Sequence, residues 1–77
     1  MKKQILEILS EIRPEFDFSQ NMNFIKEGML DSFDVVTLVT TLDELFNISI
    51  SGTDILPENF ESIDKIEALL LKNGASL

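Results

Sequence analysis

The stretch that most constrains this chain is residues 27–46, EGMLDSFDVVTLVTTLDELF. From Val35 onward its apolar residues fall at positions 35, 38, 39, 42, 45 and 46, the spacing of a helix with one buried face. The start of that helix is marked as well. Gly28 stops the preceding segment, Asp31 is an N-cap residue type, and Asp34, three positions on, makes a shorter variant of the capping box. With Asp31 supplying the capping oxygen, Ser32 takes the first helical position and its hydroxyl is left free, pointing outward. An oxygen there can carry a phosphodiester, because unpaired backbone N–H groups and the positive end of the helix dipole favour negative charge.

A helix with one apolar face needs partners, and the remaining residues supply them. Lys2 to about Arg13 reads as a first helix, with Ile5, Ile8, Leu9 and Ile12 inward, Leu6 at the edge, and Glu7 and Glu11 facing water. Pro14 ends it. Residues 14–30 form a connection longer than most, and Phe16, Phe18, Phe24, Ile25 and Leu30 are expected to pin it against the helices. Asp17, Ser19, Asn21 and Asn23 alternate like the start of a calcium-binding loop. The pattern then fails, with Met22 where the sharp turn needs glycine and Gly28 where a bidentate glutamate belongs, so solvation of a polar loop is the better account. Asn47 stops the second helix, and residues 48–52 read as an extended loop with no strand partner. Thr53 to Leu56 is expected to form one short helical turn, capped by Thr53 and closed by Pro57. Ser62 caps a last helix running to Lys72, with Ile63, Ile66, Leu69 and Leu70 inward; Asn73-Gly74 stops it, and Ala75 to Leu77 are expected to fray. The fold class is therefore all-α. One domain spans residues 1–77, a small bundle of three main amphipathic helices plus one short helix, four in all.

Seventy-seven residues hold one domain with a modest core, and no run approaches the ~18 apolar residues of a membrane span. Met1-Lys2-Lys3 could open a signal peptide, but Gln4, Glu7, Ser10 and Glu11 follow, which argues against one. The absence of cysteine removes disulfides and thiolate metal sites and is compatible with a cytoplasmic address. Fourteen acidic residues against six basic ones give a net charge of −8. Nucleic acid would be repelled, whereas basic patches on partner proteins would be attracted in a salt-sensitive way. The chain also lacks His, Cys, Tyr and Trp, so the usual general bases and activated nucleophiles are missing and an enzyme is not expected.

Three segments together carry a resemblance. Gly28-Met29-Leu30-Asp31-Ser32-Phe33-Asp34, the helix ending Asp43-Glu44-Leu45-Phe46, and Pro57-Glu58-Asn59-Phe60 before the last helix resemble the acyl carrier protein family, over roughly Lys2 to Lys72. In that family a serine in an Asp-Ser-Leu motif accepts a phosphopantetheine arm; here Phe33 stands in place of the usual leucine. The resemblance implies 4'-phosphopantetheine attached to Ser32 by a phosphopantetheinyl transferase, with Asp31 as motif residue and cap. The arm's thiol would hold an acyl cargo as a thioester and present it to loading and processing enzymes bearing basic patches, the carrier itself being a monomer. Docking would use the outer face of the second helix: Phe33 and Val36 as a small apolar patch, Thr37 and Thr40 beside it, and Asp34, Asp43 and Glu44 as an acidic rim. Common fatty-acid carriers are richer in glutamate along this helix, and Thr37 and Thr40 thin that charge. An aminoacyl cargo is the alternative: Asp-Ser-Phe also occurs in D-alanine carriers, while the Gly-Gly-His-Ser common in peptide-synthetase carriers is absent. A helical interaction domain that is never modified is the remaining reading.

Overall fold

Why the helices start and stop where they do is settled by a few side chains near their ends. The computed structural model describes residues 1–76 and holds three α-helices, α1 (Lys2–Ile12), α2 (Ser32–Phe46) and α3 (Ile63–Lys72). Asp31 caps α2 as expected, and Ser62 caps α3 by accepting the Lys65 N–H at 3.1 Å. Asn47 ends α2 in the left-handed region at φ +53°, a conformation asparagine tolerates better than other residues with a side chain. Gly74, at φ +98°, turns the chain after α3, and the Ala75 N–H then reaches back to the Leu70 carbonyl at 3.0 Å. Ala75 is buried, so it does not fray as its position suggested; Leu77 lies outside the described residues.

The short helix is not one element. Residues 52–60 make two 3-10 turns, Gly52–Asp54 and Pro57–Phe60. Pro57 opens the second turn instead of closing the first, because its fixed φ suits the first position of a helical turn. The expected single turn over residues 53–56, and with it the count of four helices, is corrected to three α-helices and two short turns. Among the described residues there is no strand, and no helix is long and apolar enough to cross a membrane.

The core follows the expected stripes except near helix ends, where Ile12 and Phe46 are half-buried and two further residues depart. Ile5, Ile8 and Leu9 of α1, Val35, Leu38, Val39 and Leu42 of α2, and Ile66, Leu69 and Leu70 of α3 are buried, with α1 packed on both other helices. Leu45 is 49% exposed because it lies at the edge of the stripe, while Phe46 in the same turn packs against the core. Ile63 is only half-buried. The long connection belongs to the core: Phe18 and Phe24 are buried and meet edge-to-face, ring centroids 5.0 Å apart at 83°. Phe16 lies outside them, exposed, with its ring edge-to-face on Phe18. The Asn23 side chain accepts the N–H groups of Ile25 and Lys26 and donates to Glu61, and the Phe24 N–H bonds the Glu61 carbonyl at 2.9 Å. Asp17 and Asn23 therefore spend their side chains on local turns, Asp17 accepting from the backbone and hydroxyl of Ser19. The outcome is a loop that delivers Leu30 and Asp31 to the start of α2 from a fixed direction.

Candidate functional site

Ser32 is exposed at the first position of a 15-residue helix, and Asp31 relieves it of capping. Asp31 Oδ1 accepts the Asp34 N–H at 2.9 Å, and Asp34 Oδ2 accepts the Asp31 N–H at 2.9 Å. The reciprocal pair satisfies two backbone donors that a helix start otherwise leaves unpaired. Arg13, just beyond α1, closes over it: Nε donates to Asp34 Oδ2 at 2.9 Å and Nη2 to Asp31 Oδ2 at 3.1 Å. The Asp34 N–H, and secondarily the Arg13 charge, hold the Asp31 carboxyl below the usual carboxylate range. Arg13 is pushed above its ordinary value, chiefly by its hydrogen bond to Asp34.

A groove of about 330 Å³ opens beside this serine. Ile25 and Leu30 of the long connection, Val35 and Val36 of α2, and Ile55 and Pro57 of the 3-10 segment line it, together with Asp31 and Ser32. Its far wall is latched to the end of α3. Asp54 accepts from Lys72 Nζ at 2.8 Å, the Asn73 side chain accepts the Ser51 N–H at 3.0 Å, and Asn59 donates to the Asp54 carbonyl at 2.7 Å. Ile25, Ile55 and Pro57 could not be assigned to a site from the sequence, since only the tertiary fold brings three loop residues to Ser32.

The residues expected on the outer face of α2 divide. Phe33 (82% exposed) and Val36 (61%) stand out into solvent, with Thr37, Thr40 and Glu44 also exposed. The threonine hydroxyls are turned inward to the helix, Thr37 to the Phe33 carbonyl and Thr40 to the Val36 carbonyl, so the face presents methyl groups. Asp34 does not belong to that surface. It is buried and committed to the cap and to Arg13. Asp43 is half-buried, and its Oδ1 accepts the Ile50 N–H at 3.0 Å, which fixes the loop after α2. Of the expected acidic rim, Glu44 alone is fully exposed.

The arrangement fits a covalently held phosphopantetheine. A hydroxyl stands clear at a helix N-terminus where an anion is favoured, and the adjoining groove is lined by apolar side chains along which an arm can lie. Residues 3–70 match the family model described as "Phosphopantetheine attachment site", and the chain belongs to that family. It is similar to the D-alanyl carrier protein of Lactococcus lactis subsp. cremoris, 31% identical over 88% of this chain and 89% of the relative. The D-alanyl carrier protein of Lactobacillus delbrueckii subsp. bulgaricus is 32% identical over 86% and 84%, and that of Abiotrophia defectiva 25% identical over the full length of both. The protein is thus a non-catalytic carrier whose prosthetic group is 4'-phosphopantetheine, installed by a phosphopantetheinyl transferase and used by partner enzymes.

Proposed function

We propose that this carrier holds its phosphopantetheine on Ser32 and that its cargo is an aminoacyl group of the D-alanyl type. The observation that carries the cargo is the likeness to D-alanyl carrier proteins along 84–89% of their length at 31–32% identity. That likeness moves the reading from an acyl cargo of a fatty-acid or polyketide-like pathway, first choice on sequence, to the aminoacyl alternative. The thinned charge of α2 and the Asp31-Ser32-Phe33 motif agree with it.

When bound, the group supplies a thiol that holds the cargo as a thioester. The chain's own residues do the rest. Asp31 and Asp34 hold the first turn of α2 without using the Ser32 hydroxyl, which stays accessible to the transferase. Ile55, Pro57 and Val36 offer an apolar bed beside it. Phe33, Val36, Thr37, Thr40 and Glu44 form the docking face on which the transferase and the loading enzyme alternate. Much of that face is uncharged, so the contact rests on apolar burial more than on attraction to a basic patch.

The test is intact-protein mass in two stages. Incubation with coenzyme A, magnesium and a broad-specificity phosphopantetheinyl transferase should add one arm to wild type and none to Ser32→Ala. A D-alanine-activating ligase with ATP should then add one D-alanyl group to the armed protein. Loading by a fatty-acyl transferase in place of the ligase would overturn the cargo and leave the carrier role standing.

A further inference from the structure

Three carboxylates gather on one cation beside Ser32. Arg13 is the chain's one arginine. It pairs with Asp34 at 2.9 Å and Asp31 at 3.1 Å, and more loosely with Glu15 at 3.4 Å. The cap itself does not require it, since the Asp31–Asp34 pair uses only those residues' own atoms. What the pair lacks is charge balance. Two carboxylates flank Ser32, one of them buried, on a chain of net charge −8. We propose, resting on the reading that Ser32 accepts phosphopantetheine, that Arg13 is a positioning residue for this modification. It fixes and partly cancels the Asp31 and Asp34 charges so that an anionic phosphoryl donor can approach the Ser32 hydroxyl.

In transfer from coenzyme A, Ser32 Oγ attacks the phosphorus that bears the pantetheine and an O–P bond forms. The bond from that phosphorus to the bridging oxygen breaks, adenosine bisphosphate leaves with the electron pair, and the hydroxyl proton passes to solvent base. Donor and product phosphodiester are both anionic, so each meets the field of the two aspartates. At separations below about 10 Å such a charge is felt at low ionic strength and is largely screened at about 1 M salt, where the Debye length is about 3 Å. Arg13 also ties the end of α1 to the start of α2, and the experiment has to separate that stapling from the electrostatic role.

The experiment measures initial loading rates by intact mass against carrier concentration, with coenzyme A and one transferase. Wild type, Arg13→Gln, Arg13→Lys and the double variant Arg13→Gln/Asp34→Asn are compared, each shown by circular dichroism to be folded at the assay temperature. Arg13→Gln should lower kcat/KM about tenfold at low ionic strength. The deficit should shrink to about twofold at about 1 M salt. Arg13→Lys and the double variant should recover most of the loss, the latter because an amide still accepts the Asp31 N–H without the charge. As a readout without turnover, the arm should lower the Tm of Arg13→Gln more than that of wild type. A full rate in Arg13→Gln, or a deficit that neither salt nor the double variant relieves, overturns the proposal while leaving Ser32 loaded. Failure of wild type to gain the arm, or gain of the arm by Ser32→Ala, overturns the Ser32 reading and this proposal with it.

Discussion

Asp31 and Asp34 hold each other's backbone N–H groups at 2.9 Å, and Ser32, one of the two residues between them, takes no part in the exchange. On the reading that Ser32 carries the arm, modification and helix capping fall to adjacent residues. Ser32→Ala should therefore leave stability within about 0.5 kcal/mol of wild type while abolishing phosphopantetheine attachment. Asp31→Ala removes the capping oxygen and should cost about 1 kcal/mol. In a domain of this size that lowers Tm by roughly 4–8 °C. Thermal melts of both variants beside the mass assay check the pair. Equal losses of stability would mean that Ser32 shares the cap.

The latch between the 3-10 segment and α3 gives a pH signature. Asp54 is held below the usual carboxylate range, first by its hydrogen bond from Lys72. Because its folded pKa lies below its unfolded value of about 3.9, its contribution is present above that value and is lost as pH falls through the folded one. Tm should therefore differ between wild type and Asp54→Asn at neutral pH, and the two curves should converge below about pH 4. Asp31 and Asp17 are shifted the same way and add to the wild-type loss in acid. Parallel curves down to pH 2 would show that the Lys72 contact is not held in solution.

Phe24 tests whether the long connection is structural. It is 1% exposed, edge-to-face with Phe18, and its carbonyl accepts both the Met29 and Leu30 N–H groups on the way into α2. Phe24→Ala should cost about 3–5 kcal/mol, as much as emptying a helix core position such as Leu42→Ala at about 2–5. Urea titrations of the two variants make the comparison. A Phe24→Ala cost below about 1 kcal/mol would mean that the loop is dispensable to the fold.

These residues also mark what could be read from the chain alone. Caps and stops are local: Asp31, Asn47, Ser62 and Gly74 each act within a few residues of the end they define, so residue type and spacing were enough. Asp34, expected on the outer surface, is buried and paired with Arg13, which lies 21 residues away and falls in no local window. Asp43 is half-buried because it accepts the Ile50 N–H beyond the helix end, again outside any window within the helix. Leu45 shows the limit of periodicity. It stands at the edge of the 3.6-residue stripe, and spacing alone does not say how wide the covered face is. The exposed place of Ser32 at the first turn of α2 is legible in the sequence, and the groove beside it is not, because Ile25, Ile55 and Pro57 meet only in the folded chain.

Phe33 is the side chain on which the docking proposal stands or falls. Its ring is 82% exposed next to Ser32, so it contributes little to the core, and Phe33→Ala should change stability by no more than about 0.5 kcal/mol. If the outer face of α2 seats the transferase and the loading enzyme, the same change removes a central aromatic contact. Such a loss costs more than about 1 kcal/mol in association, about fivefold or more in kcat/KM with each enzyme. Glu44→Gln sits at the rim and should act mainly through on-rate at low salt, a smaller effect that vanishes as salt rises. Steady-state loading rates of both variants at low and high ionic strength separate the two contributions. A Phe33→Ala protein that is loaded at the wild-type rate by both enzymes would place the docking contact elsewhere than on this face. A Glu44→Gln effect larger than the Phe33→Ala effect would mean that charge, and not apolar burial, recruits the partners.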